Sequence, residues 1–314
     1  MVTKKTVLIT GGFGFLGGRL GWHLTNNYNV ILGSRFEKIA PDWLPLSKTI
    51  KIDWESERSL LNSCESVDII IHASGLNKQE CHNDPEKDLL VNGTYTKNLV
   101  KAAISQNVKK IIYLSTIHVY SDNLTGVVTE YAPIKNTHPY ASSNVAGEDA
   151  VLLAIDKGFI RGAVVRAANI FGRPMDKTMN CWMLLVNDLC RQAIVEGRLT
   201  LYGDSEAVGD FVTIDDFCSA IGFLIKIEDT NTIINIGSGK ICTVGDMANR
   251  VQKNCMSALG FEPSIVLKNK PKDKKNLFHY QTNYMNSVNF KFNNEFDLEI
   301  KELLYFCKDN FYVK

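Results

Sequence analysis

Short apolar runs alternate with amphipathic stretches along the first half of the chain. Thr6 to Thr10, Tyr28 to Leu32, Thr49 to Ile52, Val67 to His72, Lys110 to Ser115 and Gly162 to Arg166 read as strands, and Ile or Val in several of them suits burial on both faces. Helical spacing fills the intervals Phe15 to Asn26, Asp88 to Gln106 and about Ala141 to Asp156. Strands that alternate with helices predict an α/β fold, a doubly wound parallel sheet with right-handed crossovers. After Gly172 the rhythm changes. A helical stretch from Cys181 to Glu196 precedes the turn-rich Leu201 to Ser205, and Thr232 to Ile236 reads as one more strand of the first sheet. The lysine-rich stretch Pro263 to Lys275 is expected to be a loop. The organisation predicted is a first domain over residues 1–172 and a smaller C-terminal, substrate-binding domain over 173–314, with about 205–240 returning to the first.

The turn after the first strand narrows the fold class. Gly11, Gly14 and Gly17 form Gly-x-x-Gly-x-x-Gly between a strand and a helix, with Phe13, Phe15 and Leu16 between them. That arrangement predicts a Rossmann domain. Gly11 allows a tight turn, Gly14 lets the backbone approach a phosphate, and Gly17 lets the helix pack on the sheet. Unpaired amides and the positive end of the helix dipole then favour a dinucleotide pyrophosphate. At the end of the second strand an acid would bond the ribose hydroxyls, whereas an arginine suits a 2′-phosphate. Ser34 and Arg35 stand there without an acid, which leans toward NADP; Arg35 could instead stack over adenine or face solvent. Asp53, followed by Trp54, is placed to meet the adenine amine, or is a plain loop residue.

Composition restricts the remaining classes. With 314 residues, 45% hydrophobic and 22% charged, the chain can bury a large core, and a formal net charge of +1 argues against a dedicated nucleic-acid binder. The eight cysteines are scattered with no Cys-x-x-Cys pair, so no metal site is expected and reduced cytoplasmic thiols are. No secretory signal or membrane span is expected, since the apolar run from Val7 is too short for either.

Seven ordered segments between Lys5 and Ala248 resemble the extended short-chain dehydrogenase/reductase superfamily, in its branch of nucleotide-sugar epimerases, dehydratases and reductases. They are Ile71-His72-Ala73-Ser74-Gly75 beside the cofactor, Val91-Asn92-Gly93-Thr94, Leu114-Ser115-Thr116-Ile117-His118-Val119-Tyr120, Pro139-Tyr140-Ala141-Ser142-Ser143, Arg166 to Gly172, Asp210 to Asp216, and Asn235 to Gly239. The resemblance implies an NAD(P)-dependent oxidoreductase acting on a nucleotide-activated sugar at C4, as a 4-dehydrogenase or 4-epimerase serving bacterial surface polysaccharide. It implies Tyr140 as base, Thr116 as its hydroxyl partner, His72, Ala73, Ser74, Asn92, Ser115, Tyr140 and Asn144 near the cofactor, and Asn169, Leu201 and Tyr202 on the substrate side. The retained cofactor of an epimerase leans toward NAD. Two helices, Asp88 to Gln106 and Ala141 to Asp156, imply a homodimer.

Departures from that pattern matter as much. Asn144 stands where the family has the lysine that activates its tyrosine. Without another cation, ionising a phenol of pKa near 10 at pH 7 costs up to about 4 kcal/mol. The enzyme is then slow or alkaline-loving, or Lys78 substitutes, or the protein is a cofactor-binding regulator or scaffold. Tyr131 and Lys135 have the literal Tyr-x-x-x-Lys spacing, but Pro133 places them in a loop. Ile117 and His118 replace the Asp-Glu pair of the 4,6-dehydratases, which disfavours elimination of water; His118 is a packing residue or a proton relay. Gly209 stands in place of a diphosphate-gripping arginine, leaving Arg173 or Lys177 as candidates, or solvated loop charges.

Overall fold

The computed structural model describes residues 4–82, 84–228, 230, 232–269 and 277–312. In chain order the strands are β1 (Thr6–Thr10), β2 (Asn29–Ser34), β3 (Lys48–Lys51), β4 (Ile69–His72), β5 (Lys110–Thr116), β6 (Gly126–Val128), β7 (Arg161–Ala167), β8 (Asn169–Phe171), β9 (Arg198–Leu201), β10 (Val208–Thr213), β11 (Thr232–Ile236), β12 (Ile241–Thr243), β13 (Ser264–Leu267) and β14 (Phe278–Tyr280). The α-helices are α1 (Phe15–Leu24), α2 (Glu57–Cys64), α3 (Pro85–Asp88), α4 (Tyr95–Ser105), α5 (Pro139–Asp156), α6 (Leu185–Glu196), α7 (Ile214–Leu224), α8 (Val244–Leu259), α9 (Asn283–Ser287) and α10 (Phe296–Phe311).

A seven-stranded sheet in the order β11-β7-β5-β4-β1-β2-β3 carries the first compact unit, residues 1–122, 132–167 and 218–234. The pairs β1–β2, β1–β4, β2–β3, β4–β5 and β5–β7 are parallel. Strand order reverses between β1 and β4, and ligands of such sheets bind outside the carboxyl ends at that reversal. Register brings Thr10 beside Gly33 on one side and His72 on the other. Leu8, Ile70, Ile111 and Val164 of the sheet pack with Leu60, Leu99, Val100 and Val151 of α2, α4 and α5 in one buried cluster. That burial of apolar surface is the principal force holding helices to sheet.

The second unit comprises residues 123–131, 168–217 and 235–314. It contains a three-stranded sheet in the order β12-β10-β8 and a core of α6, α8 and α10, with Cys190, Met247, Val251, Ile300, Leu303 and Cys307 all buried. Helix α8 starts on a capping box, Thr243 accepting from the Asp246 amide and Asp246 accepting from that of Thr243.

Two expectations are corrected. Pro263 to Lys275 is not simply a loop: Ser264–Leu267 pairs in parallel with β9, because alternating Ile265 and Leu267 find a strand partner there, while 270–275 lie outside the described residues. Asp88 to Gln106 is not one regular helix. Leu89–Thr94 forms a π-helical segment between α3 and α4, a form that inserts a residue and concentrates at functional sites. Among the described residues no helix is long and apolar enough to cross a membrane, and no His, Cys, Asp and Glu group could hold a metal.

Candidate active site

Gly14 caps α1 with no side-chain hydrogen bond, and no acidic residue lies in the first turn. The amides at that helix start therefore face outward rather than into their own side chains. Gly11 has φ +66°, and a side chain there would press on the Ala73 carbonyl at 2.8 Å; one at Gly17 would run into the Gly11 carbonyl oxygen. The Gly12 amide donates to the Gly33 carbonyl at 3.0 Å, tying the turn to β2. Phe15 is buried under the turn, and Phe13 and Leu16 are half-buried. This cradle fits the pyrophosphate of a dinucleotide, with the exposed Gly14 backbone at its floor.

Around it lie the other sequence-derived candidates of the first unit. Ser34 Oγ accepts from the Phe36 amide at 3.1 Å, and the exposed Arg35 lies 5.0 Å over the Phe36 ring. Asp53 is exposed and accepts from the Glu55 amide at 3.1 Å; Trp54 stacks on Tyr95 at 6.0 Å and 15°. Asn92, in the π-helical segment, accepts from the Leu76 amide at 2.8 Å and donates to Ser143 Oγ at 3.0 Å. It thus binds the loop after β4 to α5.

A buried polar chain runs beneath the cradle, joining His72, Ala73, Ser74, Asn92 and Asn144, which were candidates from sequence, to Thr10, Thr96 and Tyr113, which were not. Thr10 Oγ1 accepts from the Ala73 and Ser74 amides at 3.2 Å, which leaves its hydroxyl to donate to His72 Nδ1 at 2.6 Å. His72 Nε2 is then the protonated nitrogen, donating to Thr96 Oγ1 at 2.9 Å, and Thr96 donates to the Asn92 carbonyl at 2.7 Å. Burial pushes the His72 pKa down to about 3, so the ring is neutral. The Tyr113 hydroxyl reaches Asn144 Oδ1 and its carbonyl, each at 3.4 Å.

Tyr140 lies on the first turn of α5, behind Pro139 at a position where proline is tolerated. His138 Nδ1 caps that helix by accepting from the Tyr140 amide at 3.1 Å. Burial raises the Tyr140 pKa above its ordinary value of 10.0, and a hydrogen bond with the Thr116 hydroxyl offsets part of that rise. The structure therefore brings Tyr140 and Thr116 together. Asn144, one turn on, is buried, and its amide donates to the Tyr140 carbonyl at 2.8 Å. Its polar atoms point into its own helix and Tyr113. Lys78 pairs instead with Asp122 at 3.3 Å, and Asn136 ties Asp122 to the His118 carbonyl at 3.1 and 2.7 Å. His118 meets the Tyr140 ring edge-on at 6.4 Å, and burial pushes its pKa down to about 4.

One further turn along α5, Glu148 makes a buried pair with Arg166 at 2.5 Å and accepts from Ser115 Oγ. Burial works against the Arg166 charge, but the hydrogen bonds and charge of Glu148 hold its pKa above the ordinary range. Positions 140, 144 and 148 share a helix face by their spacing, and that spacing is the signal through which sequence could have found Glu148. The spaced pair Tyr131 and Lys135 lies outside any helix, with Tyr131 89% exposed.

In the second unit, Asn169 Nδ2 donates to the Asp210 carbonyl at 2.8 Å, and a side chain at Gly209 would meet that same amide at 3.0 Å. Asn169 thus fills part of the space beside Gly209. Leu201 is buried and Tyr202 is 66% exposed at the end of β9. The Arg173 amide donates to Glu299 at 3.0 Å, and Lys177 is exposed. Asp210 is fully buried, with Oδ1 accepting from the Ser238 amide at 2.7 Å, and burial pushes its pKa up to about 7.

Comparison with known proteins agrees with this architecture. The chain is 27% identical over 236 residues to the GDP-6-deoxy-D-talose 4-dehydrogenase of Aggregatibacter actinomycetemcomitans, spanning 74% of each chain. It is 25% identical over 249 residues to the dTDP-6-deoxy-L-talose 4-dehydrogenase (NAD(P)(+)) of Kitasatospora kifunensis, covering 76% of this chain and 75% of that one. Among solved structures, the UDP-N-acetylglucosamine 4-epimerase from Methanobrevibacter ruminantium superposes with a TM-score of 0.84 at 21% identity over 97% of this chain and 98% of the other. The model of the NAD dependent epimerase/dehydratase family matches residues 7–237, and with the glycine cradle, the reversal of strand order and the Tyr140–Thr116 pair in view, the chain belongs to that family.

Proposed function

We propose that the protein oxidises the C4 hydroxyl of a nucleotide-activated sugar with an NAD(P) cofactor, as a 4-dehydrogenase or 4-epimerase. The observation that carries this reading is the pairing of Tyr140 with Thr116 in the unit that bears the uncapped glycine cradle. The two relatives named 4-dehydrogenases support the position of attack. When bound, the nicotinamide supplies a hydride acceptor and, in an epimerase, a hydride donor. Tyr140 as phenolate takes the sugar hydroxyl proton, and the Thr116 hydroxyl orients the reacting oxygen. Ile117 and His118, in place of two acids, support redox chemistry without loss of water. Tyr202 offers an exposed ring to a nucleotide base, with Leu201 behind it and Asn169 a polar partner for phosphate. A homodimer in the cytoplasm, serving bacterial surface polysaccharide, completes the reading; exposed Leu89, Leu90 and Leu153 support pairing through the helices that carry them.

A second reading rests on one specific observation: Asn144 brings no charge and is turned into its helix, and Tyr140 stays hard to ionise. A cofactor-binding regulator or scaffold would show these features. Purified protein, loaded with either pyridine dinucleotide and offered a panel of UDP-, dTDP- and GDP-sugars, decides by the absorbance of reduced nicotinamide and by sugar isomer analysis. Reduction or isomerisation with any sugar supports the enzyme. Tight dinucleotide binding with no turnover from neutral to strongly alkaline pH supports the regulator.

A further inference from the structure

We infer that the cleft between α2 and α4 binds a small zwitterion with an apolar body, at a site apart from the glycine cradle. Helix α2 lines the cleft with Glu57, Leu60 and Leu61, and α4 lines it with Asn98, Lys101, Ala102 and Ser105. Spacings of three, four and seven residues put each set on one helix face. A cavity of about 250 Å³ is left between them. Ala102 and Ser105 carry too little volume to fill the gap that larger side chains would close; Ala102 and Leu60 are both buried and form its floor. Trp54 forms one wall. Its ring is held by stacking on Tyr95 and by His72, whose ring centre lies 5.7 Å away. Of the residues that line the cavity, Trp54 alone is also a dinucleotide candidate.

The lining separates two signs of charge. Glu55 lies at the start of α4, where its Oε1 accepts from the Tyr95 hydroxyl at 3.1 Å, and Glu57 follows two residues later. Lys101 stands six residues beyond Tyr95 on α4, roughly 9 Å along the helix axis, and Ser105 one turn further. Among the described residues neither Glu57 nor Lys101 belongs to an ion pair. Apolar surface from Leu60, Leu61 and Ala102 runs between the two ends, beside the Trp54 indole. An anion, an apolar trough and a cation in that order complement a short carbon chain with an ammonium at one end and a carboxylate at the other. The ammonium meets Glu57 and the indole face. The carboxylate meets Lys101 and the Ser105 hydroxyl, and the methylenes cover the leucines. A ligand of one sign leaves one of the two charges unmatched.

The test is calorimetric titration of the purified full chain with 6-aminohexanoate, hexanoate and hexylamine, for wild type, Glu57→Gln and Lys101→Gln. Both side chains are exposed, so neither variant threatens folding. The zwitterion should bind with a Kd of about 1 mM or below, the range open to so small a ligand. It should bind about 10-fold more tightly than either singly charged analogue, the worth of one hydrogen bond to a charged group. Glu57→Gln should weaken 6-aminohexanoate and hexylamine by about 10-fold and leave hexanoate within about 3-fold. Lys101→Gln should weaken 6-aminohexanoate and hexanoate and spare hexylamine. No heat of binding from the zwitterion at about ten times that concentration overturns the inference. Equal affinity for all three probes, or binding that neither substitution changes, overturns it as well.

Discussion

The Asn144 side-chain amide donates to the carbonyl of Tyr140, four residues back on the same helix, at 2.8 Å. A lysine at this position would carry a cation along the same face toward the phenol. The amide satisfies the backbone instead and leaves the phenol without a charge to stabilise its ionised form.

Asn144→Lys should therefore raise kcat near pH 7 by about 10- to 100-fold, one to two of the three pK units that separate the phenol from neutrality. The pH–rate profile is the measurement. Its alkaline limb should move down in pH together with the gain, and an unchanged profile would mean that Tyr140 is not the base.

Wild-type activity should rise with pH through 9 and above, because burial holds the Tyr140 pKa over 10.0 and only the phenolate accepts a proton. Tyr140→Phe should abolish turnover and leave dinucleotide affinity within about 3-fold, since one weak hydrogen bond is all it removes from the cofactor side. Persistent turnover in that variant sinks the assignment.

Glu148→Gln should destabilise the fold by about 3–5 kcal/mol, because it leaves the Arg166 charge buried without its partner. Replacing both residues together, Glu148→Met with Arg166→Met, should cost less than either single change. Chemical denaturation of the three variants gives the comparison.

Asp210→Asn should stabilise the protein at pH 8 and not at pH 5. The folded carboxyl has its pKa raised from 3.8 to about 7, so the folded state keeps a proton that the unfolded chain has lost. Stability from this group is present below pH 4 and is lost as pH rises through 7, a span of roughly 4 kcal/mol at 1.36 per unit. Asparagine keeps the acceptor for Ser238 without the buried charge. A gain of about 1–3 kcal/mol at the higher pH is expected, and denaturant midpoints at the two pH values measure it.

His72 works in the opposite direction. Its folded pKa is lowered from 6.5 to about 3, so the unfolded chain binds the proton first as pH falls. Stability from the neutral ring is present above pH 6.5 and declines toward pH 3. Between pH 7 and pH 5 the loss should be about 2 kcal/mol, and His72→Gln should show a smaller loss over the same interval.

The periodicity of β1, α1 and β2 was legible because it is local. Buried parallel strands must be apolar over their length, and only glycines can close that turn, so the cradle could be read residue by residue. The same is true of Tyr140 and Thr116, whose neighbouring residues form compact motifs. Helix α10 and strand β13 were not legible: one takes its apolar face from a core shared with α6 and α8, the other its identity from pairing with β9, more than sixty residues earlier.

By itself, then, the sequence determined where the glycine turn lies, that Tyr140 follows a proline that opens a helix, and that an asparagine stands one turn beyond it. Only the tertiary structure decided where polar atoms find partners: Glu148 with Arg166, His72 between Thr10 and Thr96, Lys38 over Phe13, Asn144 back onto its own helix. Chain spacing sets turns and faces through bond geometry. Charge and hydrogen-bond partners are chosen by proximity after collapse, between residues that the chain alone does not bring together.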